Sequence, residues 1–256
     1  MRVDLNCDMG ESFGAYVIGN DATVLPHVTS INVACGFHGG DPGVMRSTVH
    51  AAVAHGVAIG AHPGLPDLIG FGRRAMAVTA QDVYDMTVYQ VGALLGIVTA
   101  AGTTLQHVKP HGALYNMAAV NPALADAIAR AVHDIDATLI LLGLSGSALI
   151  AAGNTIGLRT ASEVFADRNY QADGTLVPRA QADALIHDPD LAVARAVRMV
   201  QSQCVTATGG TIVPVVTESI CIHGDAPGAA VFAQRIRSAL GAAGVAVVPL
   251  TAICHA

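Results

Sequence analysis

Residues 30–61 read SINVACGFHGGDPGVMRSTVHAAVAHGVAIGA and contain one complete strand–helix–strand unit. The apolar run Ser30–Ala34 predicts a strand, and Val57–Ala61 predicts the next one. Between them, Pro42–His55 has the pattern of a helix that begins at a proline and stops at Gly56. Strands that alternate with helices at this spacing predict a parallel sheet.

The same alternation continues along the chain. Further strand-like runs are Val3–Cys7, Leu105–Val108, Thr138–Leu142, Leu158–Ala161 and Ser219–Ile222, and Val245–Leu250 is either an eighth strand or an outer segment. Other helices begin at Asn121-Pro122, Asp188-Pro189 and Asp225-Ala226-Pro227. Residues 204–217 depart from this alternation and have the pattern of a β-hairpin. We therefore expect an α/β barrel.

Length and composition favour a single barrel domain that spans residues 1–256. Hydrophobic residues make up 52% and charged residues only 12%, which suits strands that are buried on both faces. The net charge of −6 argues against a nucleic-acid partner. Two uncharged stretches, 86–106 and 137–158, are interpreted as buried barrel elements, so we expect no membrane partner.

Five cysteines without a CxxC pair predict reduced thiols in a cytoplasmic protein. No signal-peptide pattern precedes the first strand-like run. Buried cysteine is more often a small apolar filler than a nucleophile, and the cysteines are left out of the candidate catalytic set.

Polar and ionisable residues gather just after the strand-like runs. They are Asp4, Asn6, Asp8 and Glu11; Asn32 and His38; His62; Lys109 and His111; Glu163, Asp167 and Arg168; and His223 and Asp225. Because the carboxyl ends of parallel barrel strands open on one face, we expect these side chains to meet around one pocket. The pattern favours an enzyme over a scaffold.

The first run alternates strictly, so that Asp4, Asn6 and Asp8 face one way. A solvated edge strand would have the same pattern. A carboxylate inside an apolar barrel needs a cation or hydrogen-bond donors, so the alternation favours a functional site.

Histidines at four strand ends, His38, His62, His111 and His223, are open to three roles. They are acid–base catalysis, metal ligation together with Asp8, and substrate binding. The chain has no HExxH or HxxxH spacing on one helix that would favour the metal. Lys109 suits a substrate carboxylate or a developing oxyanion, and a salt bridge to Asp8 or Glu163 is the structural alternative.

Six ordered blocks resemble one family. They are Asp4–Phe13 (DLNCDMGESF), Asn32–Pro42 (NVACGFHGGDP), Gly60–Arg74 (GAHPGLPDLIGFGRR), His107–Asn116 (HVKPHGALYN), Glu163–Arg179 (EVFADRNYQADGTLVPR) and Cys221–Asp225 (CIHGD). These blocks are similar to the family of 5-oxoprolinase A subunits, also called LamB/YcsF. The small departures, Ile31, Gly39 and Asp183, affect no charged strand-end residue.

The resemblance implies a distorted TIM-like (β/α)7 barrel of the glycoside hydrolase/deacetylase type. It also implies a hydrolase acting on a cyclic amide: the A component of an ATP-dependent 5-oxoprolinase, which opens 5-oxo-L-proline to L-glutamate with partner subunits B and C. The chain has no GxxxxGK[ST] motif, so ATP is expected to be a co-substrate that the partner subunits bind.

Candidate residues follow from this activity. The catalytic candidates are Asp8, His38, His62, Lys109 and His111, and the substrate-binding candidates are Asn6, Glu11, Asn32, Glu163, Asp167, Arg168, Arg179 and His223. Asp8, oriented by His62, could be the base. Lys109 or His111 could stabilise the oxyanion, and His38 or His223 could be the acid. Arg168 or Arg179 could pair with a substrate carboxylate or a phosphoryl group.

Two alternatives stay open at this point. A stand-alone metal-dependent amidase or deacetylase would bind a divalent metal at Asp8, His38 and His62, and would work without ATP or partners. A non-catalytic subunit that binds small carboxylates would keep ligand binding, and turnover would not depend on Asp8, Lys109 and His111.

Overall fold

The computed structural model describes residues 1–223 and 228–254, apart from the side chain of His223. The predicted helix start at Asp225-Ala226-Pro227 lies outside the described residues, and so does what the side chain of His223 contacts.

Ten strands and eight α-helices make up the regular structure of the described residues. The strands are β1 (Arg2–Met9), β2 (Ser30–Ala34), β3 (Ala58–His62), β4 (Leu105–Val108), β5 (Ile140–Leu144), β6 (Arg159–Phe165), β7 (Cys204–Thr206), β8 (Ile212–Pro214), β9 (Ser219–His223) and β10 (Ala246–Val247). The helices are α1 (Asp21–Val24), α2 (Pro42–His55), α3 (Ala80–Ala100), α4 (Gly112–Val120), α5 (Pro122–Ile135), α6 (Ala148–Ile156), α7 (Pro189–Ser202) and α8 (Ala229–Ala242).

Seven parallel strands close into a barrel in the order β1-β2-β3-β4-β5-β6-β9. The ring closes where β9 pairs with β1, for example Leu5 beside Ile220. The predicted α/β class and the seven-stranded (β/α) barrel are confirmed. The eighth strand-like run forms β10, which pairs only with Arg2 and Val3 of β1 and is an outer segment. The predicted hairpin is the antiparallel pair β7–β8.

The helices surround the barrel, and their starts follow the predicted caps. The carboxylate of Asp41 accepts the backbone N–H groups of Gly43 and Val44 at the start of α2. Asn121 and Asp188 cap α5 and α7 in the same way.

Helix α3 is long and apolar enough to cross a membrane by length and composition alone. In the barrel one of its faces is buried, with Val83, Val91, Leu94 and Val98 in the core. The helix therefore belongs to the barrel shell. A core helix of a soluble protein can be equally long and apolar.

The alternation of β1 separates an apolar shell from a polar interior. Leu5, Cys7 and Met9 belong to the apolar core cluster. Asp4, which is fully buried, accepts hydrogen bonds from Ser30 and Ser219 on the two neighbouring strands. Burial raises the pKa of Asp4 to about 6. The inside of the barrel thus contains a hydrogen-bonded carboxyl group well below the strand-end face.

Candidate active site

The barrel interior contains a buried amide network below the mouth. Asn32 Nδ2 donates to Asn6 Oδ1 at 2.7 Å and to Asp8 Oδ1 at 2.8 Å. Asn6 Nδ2 donates to Glu163 Oε1 at 2.8 Å, and His107 Nε2 donates to Asn32 Oδ1 at 2.7 Å. Burial lowers the pKa of His107 to about 3, so this imidazole is neutral. The network fixes the orientation of the side chains directly above it.

Lys109 is the cation at the centre of the site. Its Nζ lies 3.0 Å from Asp8 Oδ1 and 3.0 Å from Glu163 Oε1, 3.3 Å from Asn6 Oδ1 and 3.1 Å from Cys221 Sγ. Burial alone would lower the pKa of Lys109, but the neighbouring Asp8, Cys221 and Glu163 raise it well above its usual value. The side chain is therefore a permanent ammonium, and both salt bridges considered from the sequence are present.

Tyr115, at the start of α4, completes the surroundings of Glu163. Its hydroxyl donates to Glu163 Oε2 at 2.9 Å. Burial and the adjacent Glu163 raise the pKa of Tyr115 well above its usual value, so it is a phenol and a donor. Neither Tyr115 nor His107 was among the predicted site residues, although both lie in the quoted block 107–116.

Two histidines at the mouth are oriented by backbone carbonyls. His62 Nδ1 lies 2.7 Å from the carbonyl oxygen of Lys109, and His111 Nε2 lies 2.8 Å from that of Phe71. Because a carbonyl only accepts, each of these nitrogens has a proton. The other nitrogens, His62 Nε2 and His111 Nδ1, are 3.0 Å apart. Asp8 Oδ2 is 3.3 Å from His62 Nε2.

His38 lies behind His111 and is fully buried. The two rings stack in parallel with centroids 3.6 Å apart. Glycines make room for the stack: a Cβ on Gly64 would lie 2.6 Å from His38 Nδ1, and one on Gly72 would lie 2.8 Å from His111 Cδ2. Burial lowers the pKa of His38 and of His111 well below the ordinary value, so both rings are neutral.

Four buried side chains bring metal-ligating atoms together. They are Glu11, His38, His62 and His111, with one ligand atom each and all four atoms within 4.8 Å of one another. This group could hold a metal ion. It differs from the candidate set predicted from the sequence, because Glu11 and His111 belong to it while Asp8 is directed towards Lys109 through Oδ1.

A cavity of about 320 Å³ opens at the carboxyl ends of the strands. Its wall includes Asp8, His62, Lys109, His111, Tyr115, Asn116 and Phe165, with Arg73, Arg168 and Arg179 among the lining residues. The guanidinium of Arg168 also donates to the backbone oxygen of Val177 at 2.6 Å, which ties down the segment after β6. Burial lowers the pKa of Arg168 to about 10, so it remains a cation.

The predicted site residues separate into groups by position. Asp8, His62, Lys109, His111, Arg168 and Arg179 line the cavity; Asn6, Asn32 and Glu163 lie beneath it; and Glu11 and His38 belong to the ligand group behind it. Asp167 does not line this cavity but a second one of about 630 Å³ beside α7 and α8. The side chain of His223 lies outside the described part of the chain. Arg73 was not among the predicted substrate-binding residues.

Comparisons with known proteins cover nearly the whole chain. The family model described as LamB/YcsF family matches residues 3–255. The chain is 62% identical over 246 residues to the 5-oxoprolinase A subunit of Tolumonas auensis, covering 96% of this chain and 98% of the relative. It is 57% identical over 250 residues to the 5-oxoprolinase A subunit of Bacillus subtilis, covering 98% and 97%.

A solved structure agrees in fold as well as in sequence. The lactam utilization protein from Thermus thermophilus superposes with a TM-score of 0.91 at 47% identity, covering 97% of this chain and 99% of that chain. With a family model matched over residues 3–255 and a relative that is 62% identical over 98% of its length, this chain belongs to the LamB/YcsF family.

Proposed function

We propose that this chain is the A component of an ATP-dependent 5-oxoprolinase and that it hydrolyses the activated lactam of 5-oxo-L-proline to L-glutamate. The relatives' name, which calls each of them the A subunit of 5-oxoprolinase, implies a multi-subunit complex. The partner subunits B and C, the coupling to ATP and a cytoplasmic location are parts of this proposal.

The observation that supports it most is the chemistry of the 320 Å³ cavity. This volume is at the small end of the range of about 300–1,000 Å³ for ligand sites, which suits a compact ring such as a five-membered lactam. Its lining combines the carboxylate of Asp8 with imidazoles, and it includes the arginines Arg73 and Arg179. Hydrolysis of a small acidic amide needs this combination of a base, a proton donor and anion-binding groups.

Asp8 is the best placed general base. Its Oδ1 accepts from Lys109 and Asn32, both of which stabilise the ionised form of the carboxylate. Its Oδ2 lies beside His62 Nε2, at the cavity wall. Asp8 would take a proton from the attacking water, and Lys109 and Asn32 would orient the carboxylate.

Lys109 acts in this proposal mainly through Asp8. An ammonium has three N–H donors, and Asp8, Glu163 and Cys221 accept at 3.0–3.1 Å. Its positive charge at the cavity floor would still favour an oxyanion on the lactam carbon. Arg73 and Arg179 line the cavity, and in this proposal they would pair with the substrate carboxylate or with a phosphoryl group introduced by the partners.

The deciding assay mixes the purified chain with 5-oxo-L-proline, ATP and the partner subunits, and measures glutamate. We expect glutamate only in the complete mixture. Asp8→Asn should abolish it, whereas Asp126→Asn, on the exposed face of α5, should keep it. Absence of glutamate from the complete mixture would reject the proposal.

The same assay separates the two alternatives. Glutamate produced by the chain alone, without ATP, would favour a stand-alone amidase. Unchanged turnover by a complex that contains Asp8→Asn would favour a binding subunit without catalytic groups.

A further inference from the structure

The facing nitrogens of His62 and His111 are close enough to bind one cation together. Both rings donate their other nitrogen to a carbonyl, so in the neutral tautomers His62 Nε2 and His111 Nδ1 present lone pairs to each other at 3.0 Å. Two lone pairs at this distance repel one another. A shared proton or a metal ion that both nitrogens bind removes the conflict, and the ligand group around them favours the metal ion.

The surroundings of both rings are those of metal ligands. A histidine that binds a metal through one nitrogen nearly always donates the other N–H to a carbonyl or a carboxylate, as His62 and His111 do. The ring planes are almost perpendicular, at 88°. Two nitrogens that bind one ion at about 2.1 Å each are about 3.4 Å apart at the tetrahedral angle and about 3.0 Å apart at a right angle. The observed separation of 3.0 Å is therefore short enough for both nitrogens to bind one ion.

Glu11 supplies a third ligand with negative charge. Its Oε1 lies 3.6 Å from His111 Nδ1, and the side chain is buried. Two other acids of the site, Asp8 and Glu163, are paired with Lys109 and are not available to a metal in the same way.

His38 is the fourth member of the ligand group but is oriented differently. Its Nε2 lies 3.4 Å from Glu11 Oε1, yet within the described residues neither ring nitrogen of His38 has a hydrogen-bond partner. Its ring is parallel to that of His111, so the two rings cannot direct in-plane lone pairs to one point. Gly64 and Gly72 pack tightly against it and hinder rotation of the ring. His38 is thus a stacking support for His111.

We propose that Glu11, His62 and His111 bind one divalent first-row transition-metal ion, of the Zn²⁺ or Co²⁺ type, in the wall of the cavity. Two imidazoles and one carboxylate suit these ions, whereas Mg²⁺ and Ca²⁺ prefer all-oxygen sites. His62 and His111 also line the cavity, so the ion would lie beside the substrate position. Binding of the ion is measured on the chain itself and does not depend on turnover.

The test uses the full chain, purified without a metal-binding tag and freed of metal by chelation. Calorimetric titration with Zn²⁺ and the visible absorption of Co²⁺ report binding. We expect one ion per chain. Glu11→Gln and His111→Gln should weaken Zn²⁺ binding by about 100-fold or more, since loss of an outer-shell partner alone costs about 10–100-fold.

Two further variants make the assignment specific. His107→Gln changes a buried histidine outside the group and should alter the affinity by less than about threefold. His38→Asn removes the ring stacked on His111 but no ligand, so it should weaken Zn²⁺ binding by no more than about 10-fold. Far-UV circular dichroism and thermal unfolding verify that each variant is folded.

Three results would overturn the proposal. The first is wild-type chain without saturable Zn²⁺ binding. The second is equal affinity in wild type, Glu11→Gln and His111→Gln. The third is a ¹⁵N spectrum in which a proton stays between His62 and His111 at saturating Zn²⁺. A loss of about 100-fold in His38→Asn would refute the three-ligand assignment.

Discussion

Replacement of Lys109 by methionine tests how the site holds its charges. Methionine keeps most of the side-chain volume but removes the ammonium, so a large cavity is not created. Lys109 is only 2% exposed, and its Nζ forms ion pairs with Asp8 and Glu163 at 3.0 Å each. In the variant, two adjacent carboxylates lose their shared cation.

Removal of one partner from a buried ion pair costs about 3–5 kcal/mol. Both carboxylates keep other donors: Asn32 still donates to Asp8, and Tyr115 and Asn6 still donate to Glu163. We therefore expect the lower half of the range, about 3–4 kcal/mol of unfolding free energy at pH 8. For a chain of this size, that corresponds to a decrease of about 6–16 °C in Tm.

The loss should shrink as the pH falls. One of the two carboxylates takes up a proton in the folded variant more readily than in the unfolded chain, so acid stabilises the variant relative to wild type. The double variant Lys109→Met/Glu163→Gln removes one of the opposing charges and should recover at least about 1 kcal/mol relative to Lys109→Met.

Urea unfolding of the four chains of this cycle, followed by circular dichroism at pH 5.5 and pH 8, measures the effect. Glu163→Gln alone is the control for the glutamine. A loss below about 1 kcal/mol at pH 8, or a loss that is the same at both pH values and unaltered by Glu163→Gln, would refute the charge argument.

Three other outcomes are expected. The folded-state pKa of Asp4 is raised from 3.8 to about 6, so the protonated carboxyl group stabilises the fold fully below about pH 4. About 3 kcal/mol of unfolding free energy is then lost as the pH rises from 4 through 6. Urea unfolding at a series of pH values should show this slope in wild type and lack it in Asp4→Asn. Gly64→Ala should lower the unfolding free energy in urea by about 1–3 kcal/mol, because the new methyl group overpacks against His38. Gly92→Ala lies on the open surface of a helix and should raise the unfolding free energy by about 0.5–1 kcal/mol. Equal effects of the two variants would contradict the packing argument. Ellman's reagent should find one fast thiol in the native chain, the partly exposed Cys204, and five in urea; a second fast thiol would disagree with the burial of the others.

Most of the fold follows from the sequence because its local signals agree with each other. Apolar runs located all seven barrel strands, and proline with a capping acid or amide located helix starts. Strand β5 begins two residues later than predicted, because Asp136 accepts the N–H and the hydroxyl of Thr138 and holds it in a turn. Strand β6 runs on to Phe165, because Ser162 and the inward-facing Glu163 interrupt the apolar run by which its end was predicted.

The position of β10 depends on tertiary structure. Beside β1, strand β9 pairs with the residues from Asp4 onward, which leaves only Arg2 and Val3 for β10. Edge competition of this kind has no local sequence signal, so an eighth barrel strand and an outer segment could not be distinguished beforehand.

The site was predictable wherever a charged residue ends a strand. Asp8, His62, Lys109 and His111 do meet at the cavity. His107 could have been found from alternation, because it is two residues before Lys109 on the same strand face.

The rest of the site's arrangement could not be predicted, because loop geometry determines it. Glu11 and His111 come together through irregular segments, and the path of these segments depends on close backbone contacts such as Ala113 N–H to the carbonyl of Gly72. Hydrophobic periodicity contains no information on such contacts.

Closure of the ring by its first and last strands has a consequence for biosynthesis. While the ribosome is still adding residues before Ser219, β1 lacks a neighbour on one side, and the nascent sheet exposes two unpaired edges. Such an intermediate invites intermolecular pairing, and long-range strand closure is slow. Asp8, near the end of β1, gains its neighbour on β9 only after nearly the whole polypeptide has been made, so chaperone protection during synthesis should determine how much functional protein a cell obtains.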